Sequence, residues 1–297
     1  MRTLILNSSN IVKNSGNGIF EYKFPAGAIV IKQGQKLALA SLQTYYSNFN
    51  ITDRYDNNKF SYIWIDGSVV NIVIPDSFLD VNGINNYLHF IMIQNKHYYL
   101  TSGGDFVYLL TISINPSQYA VEINSFQTSV SIASSNSWSI PVGATWVNPT
   151  NPINPSITII NNFGLLLGFA PATYPSGVIS GVPPSQIQTP SYSSTQIFLS
   201  SIAPQITPVS SIVLTCSLIN NNYAIPTNQL YSYSPQGIFG EQYTIAPNQL
   251  VFIDIQAGQY SSFVCQFLDQ DLNRLVLQDP ITTILLTISD PNESVLL

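Results

Sequence analysis

Between Ile123 and Gly240 the 297-residue sequence contains no Asp, Glu, Lys, Arg or His. That gap spans well over a third of the chain and removes most chemistry from it. General acid–base catalysis needs side chains that titrate near the working pH. Metal sites want carboxylate, imidazole or thiolate donors, and the gap offers only Cys216 and a few Tyr in their place. Charged residues make up 8% of the whole chain, where an ordinary soluble domain carries roughly 25%. Hydrophobic residues make up 45%, so there is ample material for a core and the missing charge does not signal disorder. A soluble monomer keeps clear of its neighbours through surface charge. A chain that does without it suits a subunit whose surface is covered by partners.

Cysteine is equally scarce. Cys216 and Cys265 are the only two, each inside a strand-like run, which is no disulfide framework and reads as a pair of small buried hydrophobes. The opening Met1-Arg2-Thr3-Leu4-Ile5-Leu6-Asn7 is too short an apolar stretch for a signal peptide. No apolar run approaches the 18 or so residues of a membrane span. The chain is therefore read as intracellular at synthesis and reduced, and the sequon Asn50-Ile51-Thr52 as chance.

The charge that exists is unevenly placed. Eight of the nine basic residues lie between Arg2 and Lys96 against six acids, giving +2; from Glu241 onward seven acids meet only Arg274, giving −6. Neither segment is a basic block. Phosphate-backbone binding rests on clustered Lys and Arg, so nucleic-acid binding is not expected as the main role. Arg2, Lys13, Lys23, Lys32 and Lys36 read as solvated strand ends, with contact to packaged nucleic acid as their alternative.

What the chain has in quantity is Val, Ile, Thr, Tyr and Phe in short runs, the composition of half-buried pleated surfaces. Strands are expected at 18–24, 37–45, 60–65, 69–74, 106–114, 119–128, 212–219, 250–255, 262–268 and 281–288. Asp66-Gly67 marks a hairpin turn between the third and fourth. One segment departs from this pattern. Ile84, Leu88, Ile91 and Met92 recur at helical spacing behind Asn82 as a candidate N-cap. A helix is expected over 82–95, lying across a sheet edge or sandwich end, with a shorter helical turn at 163–168. From 129 to 207 the sequence is rich in Pro, Ser and Asn, including Asn148-Pro149-Thr150-Asn151-Pro152 and Val182-Pro183-Pro184, and reads as a loop-rich insertion. No internal repeat is evident, which argues against a propeller or solenoid. About eight principal strands with one inserted helix point to an all-β chain, a single jelly-roll β-sandwich forming one domain over 1–297.

Few residues invite a chemical role. His89 and His97 are the only histidines, and Asp105 is near enough to suggest a His–Asp pair. No Gly-x-Ser-x-Gly elbow accompanies them, so no catalytic residue is assigned and no enzyme is expected. Asp269, Asp271 and Asn273 have the 1-3-5 spacing of a calcium loop. Arg274 stands where Gly is required and Pro280 where Glu is, so this is no EF-hand. The spacing reads as a solvated turn, or as carboxylates (Asp269, Asp271, Asp279) facing a basic patch on a neighbour. No metal or cofactor is expected. Tyr45-Tyr46, Tyr98-Tyr99, Trp138 and Trp146 suit an interface or a carbohydrate platform.

Several phrases occur together in a recognisable order. Asn82-Gly83-Ile84-Asn85-Asn86-Tyr87-Leu88 is followed by Tyr98-Tyr99-Leu100, then by Tyr119-Ala120-Val121-Glu122-Ile123-Asn124. Next come Leu166-Leu167-Gly168-Phe169, Tyr174-Pro175, Pro204-Gln205-Ile206 and Cys216-Ser217-Leu218-Ile219-Asn220-Asn221. The series closes on Phe239-Gly240, Phe267-Leu268-Asp269-Gln270 and Leu275-Val276-Leu277-Gln278-Asp279-Pro280. It resembles the minor capsid, or penton, proteins of virophages and polinton-like viruses, the Mavirus type especially. The resemblance runs from about Gly18 to Ile288 and is weakest over 129–207. It implies a homopentamer that plugs the five-fold vertex of an icosahedral virion beside trimers of a double-jelly-roll major capsid protein, made in the host cytoplasm, with packaged DNA within reach of the inner face. One jelly roll fits this length, whereas the major protein needs about twice as many strands. The rival reading is a jelly-roll attachment protein that binds host glycan through Tyr and Trp platforms.

Overall fold

The computed structural model describes residues 2–176 and 194–290. They form two compact units, one from the residues up to Phe49 together with those from Val209 onward, the other from Asn50–Pro208.

The first unit carries eight principal strands: β1 (Arg2–Leu6), β2 (Ile19–Lys23), β3 (Lys36–Tyr45), β4 (Ile212–Cys216), β5 (Gln229–Tyr233), β6 (Gln242–Ile245), β7 (Ser262–Asp269) and β8 (Thr283–Ser289). They make two antiparallel sheets ordered β1-β8-β3-β6 and β5-β4-β7-β2. Eight strands in two sheets, with the chain crossing between sheets at every step except β4 to β5, is the double Greek key of a jelly roll. The fold is therefore all-β, as the alternating apolar runs imply. Strand β7 shows the pattern most plainly, with Phe263, Cys265, Phe267 and Asp269 buried and the residues between them less so. Phe20 meets Phe267 edge to face at 5.9 Å within one sheet, and Tyr233 on β5 reaches Tyr243 on β6 of the other at 6.1 Å.

The strand ends sort the loops of this unit. The β2–β3, β4–β5 and β6–β7 connections gather at one end, tied by a ribbon of Ile29–Ile31 with Gly258–Tyr260, a bridge between Ile219 and Ile255, and Ile255 N–H donating to the Gln35 carbonyl. The opposite end holds the β1–β2 and β7–β8 loops, and there the chain leaves at Phe49 and re-enters at Val209. Gly18 sits in this second group with its Cα so close to the Leu275 carbonyl that an added Cβ would lie 2.2 Å from the oxygen. No residue with a side chain fits there without moving backbone.

The second unit is built on a four-stranded sheet, in the order Ala172–Tyr174, Ser156–Ile159, Lys59–Ile63, Val69–Val73, and a three-stranded one, Gln196–Leu199, Ala120–Ser125, Leu110–Asn115. The Asp66-Gly67 turn joins the hairpin as expected, with Gly67 at φ +86° and its N–H donating to the Trp64 carbonyl. Helix α1 (Val81–Gln94) buries Val81, Ile84, Leu88 and Met92. Its N-cap is Asp80 rather than Asn82: the Asp80 carboxylate accepts from Gly83 N–H at 2.7 Å, where a negative charge also meets the positive end of the helix dipole. One turn apart on α1, Asn85 accepts from Ile112 N–H at 2.8 Å and His89 Nε2 donates to the Leu110 carbonyl at 3.3 Å. The helix thus caps the backbone groups that an edge strand otherwise leaves open.

The 129–207 region is more than loops. It contributes α2 (Val130–Ser135), α3 (Phe163–Leu167) ending at Gly168 in the left-handed region, and the inner strand Ser156–Ile159. Trp146, Ile157, Ile159, Phe163, Leu166, Leu167 and Phe169 from this stretch belong to the same core as Phe60, Tyr62 and Trp64. Helix α3 falls on the helical turn expected at 163–168, whereas the many prolines hide α2 and the strand, which are only six and four residues long. Val182-Pro183-Pro184 lies outside the described residues. Near the boundaries of the unit, Asn50 is buried and its amide nitrogen donates to the carbonyls of Leu79 (2.8 Å) and Ile206 (2.7 Å), while its oxygen accepts from Leu79 N–H (3.0 Å). With both amide donors engaged inside the fold, the Asn50-Ile51-Thr52 sequon has no side chain to offer a glycan.

Candidate functional site

The two histidines have packing roles. His97 is buried, its Nδ1 2.8 Å from the Tyr62 hydroxyl and its ring stacked on Trp64 at 5.0 Å and 5°. Burial lowers its pKa to about 4 and raises that of Tyr62, so at neutral pH a neutral imidazole receives the phenol proton. His89 is stacked on Tyr108 at 3.7 Å besides capping the strand edge, and burial lowers its pKa as well. Asp105 is exposed and closes its own turn with Thr101. None of the three is brought to a shared point by these contacts.

The turn after Asp269 is solvated, with Gln270, Asp271, Leu272 and Asn273 all exposed, but the Asp269 side chain beneath it is not. Asp269 is 2% exposed, and its Oδ1 accepts from the backbone N–H of Asp271 (3.0 Å) and of Asn273 (2.8 Å). Asp269 N–H donates in turn to the Asn273 carbonyl. The 1-3-5 spacing therefore encodes a carboxylate that braces a tight turn with Leu272 at φ +62°. No group of three or more His, Cys, Asp or Glu among the described residues is arranged to hold a metal. Asp269→Ala is expected to lower the stability of the jelly-roll unit by about 1–2 kcal/mol, because two partly buried hydrogen bonds that brace the turn are lost. Thermal unfolding followed by circular dichroism measures this, and calcium should leave the wild-type midpoint where it is.

The aromatics are mostly inside. Trp146, expected at the surface, is buried with its indole N–H donating to the Lys96 carbonyl at 2.7 Å. Tyr99 is fully buried, donates to Asn148 Oδ1 at 2.7 Å and accepts from Thr128 Oγ1 at 3.1 Å. Trp138 is half-buried against it at 5.6 Å. These rings spend their faces on one another, so a sugar platform built on Trp146 or Tyr99 is closed. Tyr46 is buried too and meets Phe239. Sequence spacing alone cannot tell a ring that stacks on ligand from one that stacks on a neighbouring ring.

Three of the bases near the N-terminus stand beside acids. Lys23 pairs with Glu21 and Lys36 with Asp254, each at 3.6 Å. Lys13 and Lys23 line a shallow groove together with Glu21, Ser9 and Asn10, a surface of mixed sign.

What the sequence did not reveal is where the exposed apolar side chains stand. At the end of the jelly roll formed by the β2–β3, β4–β5 and β6–β7 loops, Tyr223 is fully exposed, Ile225 86%, Val30 61% and Val251 59%. The β4–β5 loop holds its tip firmly: Asn221 Oδ1 accepts from Tyr223 N–H, Ala224 N–H donates to the Asn221 carbonyl, and Asn221 N–H donates to the Thr227 carbonyl. A rigid loop presenting an aromatic and a branched aliphatic side chain resembles the anchors that carry most of the energy in protein interfaces.

No family model matches the chain, and no curated protein does. Among solved structures it is similar to the crystal structure of the mavirus penton protein, at 11% identity and a TM-score of 0.37, over 97% of this chain and 99% of that one.

Proposed function

We propose that this chain is a structural subunit of a virus capsid, with the jelly roll as its principal domain and residues 50–208 as an insertion in it. The observation that carries this reading is a complete jelly roll whose loop tips hold Tyr223, Ile225, Val30 and Val251 out to solvent. Jelly rolls serve chiefly as capsid, lectin and metal-binding cupin domains, and fold alone does not choose among these. Here both histidines are engaged in packing and the two innermost tryptophans are covered, which disfavours a cupin centre and a Trp-based lectin platform. The finer proposal is a homopentamer closing the five-fold vertex of an icosahedral virion beside major capsid protein trimers. A repeated head-to-tail contact that closes on itself generates such a ring. The mixed-sign groove at Lys13 and Lys23 gives no support to DNA contact.

Light scattering on the purified protein, with negative-stain images of the same peak, tests the assembly. A ring of five alone, or on mixing with the major capsid protein, is expected. Replacing Tyr223 and Ile225 together by serine should weaken assembly more than tenfold, the scale of two interface anchors, and leave the fold intact. A trimer with measurable sugar affinity would favour an attachment protein. A monomer that stays monomeric with the major capsid protein would end the capsid reading.

A further inference from the structure

Cys216 on β4 and Cys265 on β7 stand directly opposite each other in the antiparallel register. On the next rung Ser217 N–H donates to the Val264 carbonyl at 2.9 Å. Hydrogen-bonded and non-hydrogen-bonded pairs alternate along such a ladder, so the cysteines occupy a non-hydrogen-bonded rung, where Cα atoms approach to about 4.5 Å. That separation lies within the span a disulfide bridges, about 4.4–6.8 Å. Both thiols are free and fully buried. The strands are interior to their sheet, β4 between β5 and β7, and β7 between β4 and β2.

We propose that Cys216 and Cys265 are a redox modification site, converted by a disulfide oxidant such as oxidised glutathione into a cross-strand disulfide that clamps β4 to β7. The inference is independent of the assembly reading. Cys216 ends its strand beside the β4–β5 loop and makes the first attack. Its thiolate opens the S–S bond of glutathione disulfide, forming a protein–glutathione mixed disulfide and releasing one glutathione. Cys265, deprotonated in turn, attacks the protein-side sulfur, closing the Cys216–Cys265 bond and releasing the second glutathione. The protein loses two hydrogens; its two electrons reduce the oxidant, and the protons end on the released thiols. The hydrogen bond to Cys216 and burial hold the Cys265 thiol well above its ordinary pKa, which keeps the pair reduced until β4 and β7 part at that end and makes the reaction slow in the folded state.

The test is mass spectrometry after alkylation in denaturant, on protein held in dithiothreitol, on native protein exposed to oxidised glutathione, and on protein refolded from urea in a glutathione redox buffer. Closure of the pair gives a mass lower by two hydrogens, no alkylation at either position and one cross-linked peptide. The unfolding midpoint should then lie above that of the reduced protein, because the bridge constrains the unfolded chain. Cys216→Ser and Cys265→Ser should each abolish the difference. Reaction only during refolding would still support the site. Free thiols after refolding, a mixed disulfide that persists, or cross-links between chains would each overturn it.

Discussion

Asn50→Ala is expected to lower the stability of the 50–208 unit by about 3 kcal/mol, since it removes three hydrogen bonds and strands their partly buried partners at Leu79 and Ile206. The loss exceeds that of an ordinary buried hydrogen bond because one side chain links two distant stretches of backbone. Asn50→Asp should be at least as damaging: it keeps the acceptor for Leu79 N–H but turns a carboxylate toward two carbonyl oxygens. The measurement is convenient. All three tryptophans, Trp64, Trp138 and Trp146, lie in this unit, so urea unfolding followed by tryptophan fluorescence reads its stability with no signal from the jelly roll. An unchanged midpoint would show that the clasp does not contribute.

Acid should destabilise the same unit by a similar amount. His97 has a folded pKa of about 4, below the roughly 6.5 of an exposed histidine. Between those values the unfolded chain binds a proton that the folded one refuses. The stability contributed is therefore fully present above about pH 6.5 and is lost as the pH falls toward 4, amounting to roughly 3 kcal/mol. The physical cause is burial: a charged imidazole would sit against Trp64 and beside Tyr62, and the nearby Asp66 offsets only part of that cost. His89, also lowered by burial, pushes in the same direction. Tryptophan-detected unfolding in urea across pH 7 to 4 gives the slope. In His97→Gln the slope should shrink whatever the variant's absolute stability, and an identical slope would assign the effect elsewhere.

Much of the strand content was legible because alternation survives in single strands. Ile19–Lys23, Lys36–Tyr45, Lys59–Ile63, Val69–Val73, Ser262–Asp269 and Thr283–Ser289 all fall within a residue or two of their expected places. Helix α1 was legible from Ile84, Leu88 and Met92, and only its cap was misplaced, because Asp80 and Asn82 are both good caps and geometry chose between them. Three jelly-roll strands were not. Arg2–Leu6 is defined only by its pairing with β8, Gln229–Tyr233 buries Leu230 and Tyr233 three residues apart rather than in alternation, and Gln242–Ile245 has only four residues. Counting about eight strands pointed to the right architecture, yet several of those counted belong to the 50–208 unit. Which strands share a sheet is set by pairings far apart in sequence, and periodicity carries no information about those. For the same reason Asp269 and Trp146 were read as surface features: their partners are backbone groups, invisible in residue type.

The Asn50 clasp bears on the order of events during synthesis. The jelly roll is split, with β3 and β4 separated by the whole of 50–208, whereas that stretch is continuous. Closing an unstructured loop of that length costs about 4 kcal/mol by the usual chain-entropy scaling. If 50–208 folds as it leaves the ribosome, before β4 to β8 exist, Asn50 and Ile206 are already fastened together, and what remains for β3 and β4 is to meet across the few residues on either side. A late-made half of the jelly roll then finds its early half waiting, held at short range by a knot tied in advance.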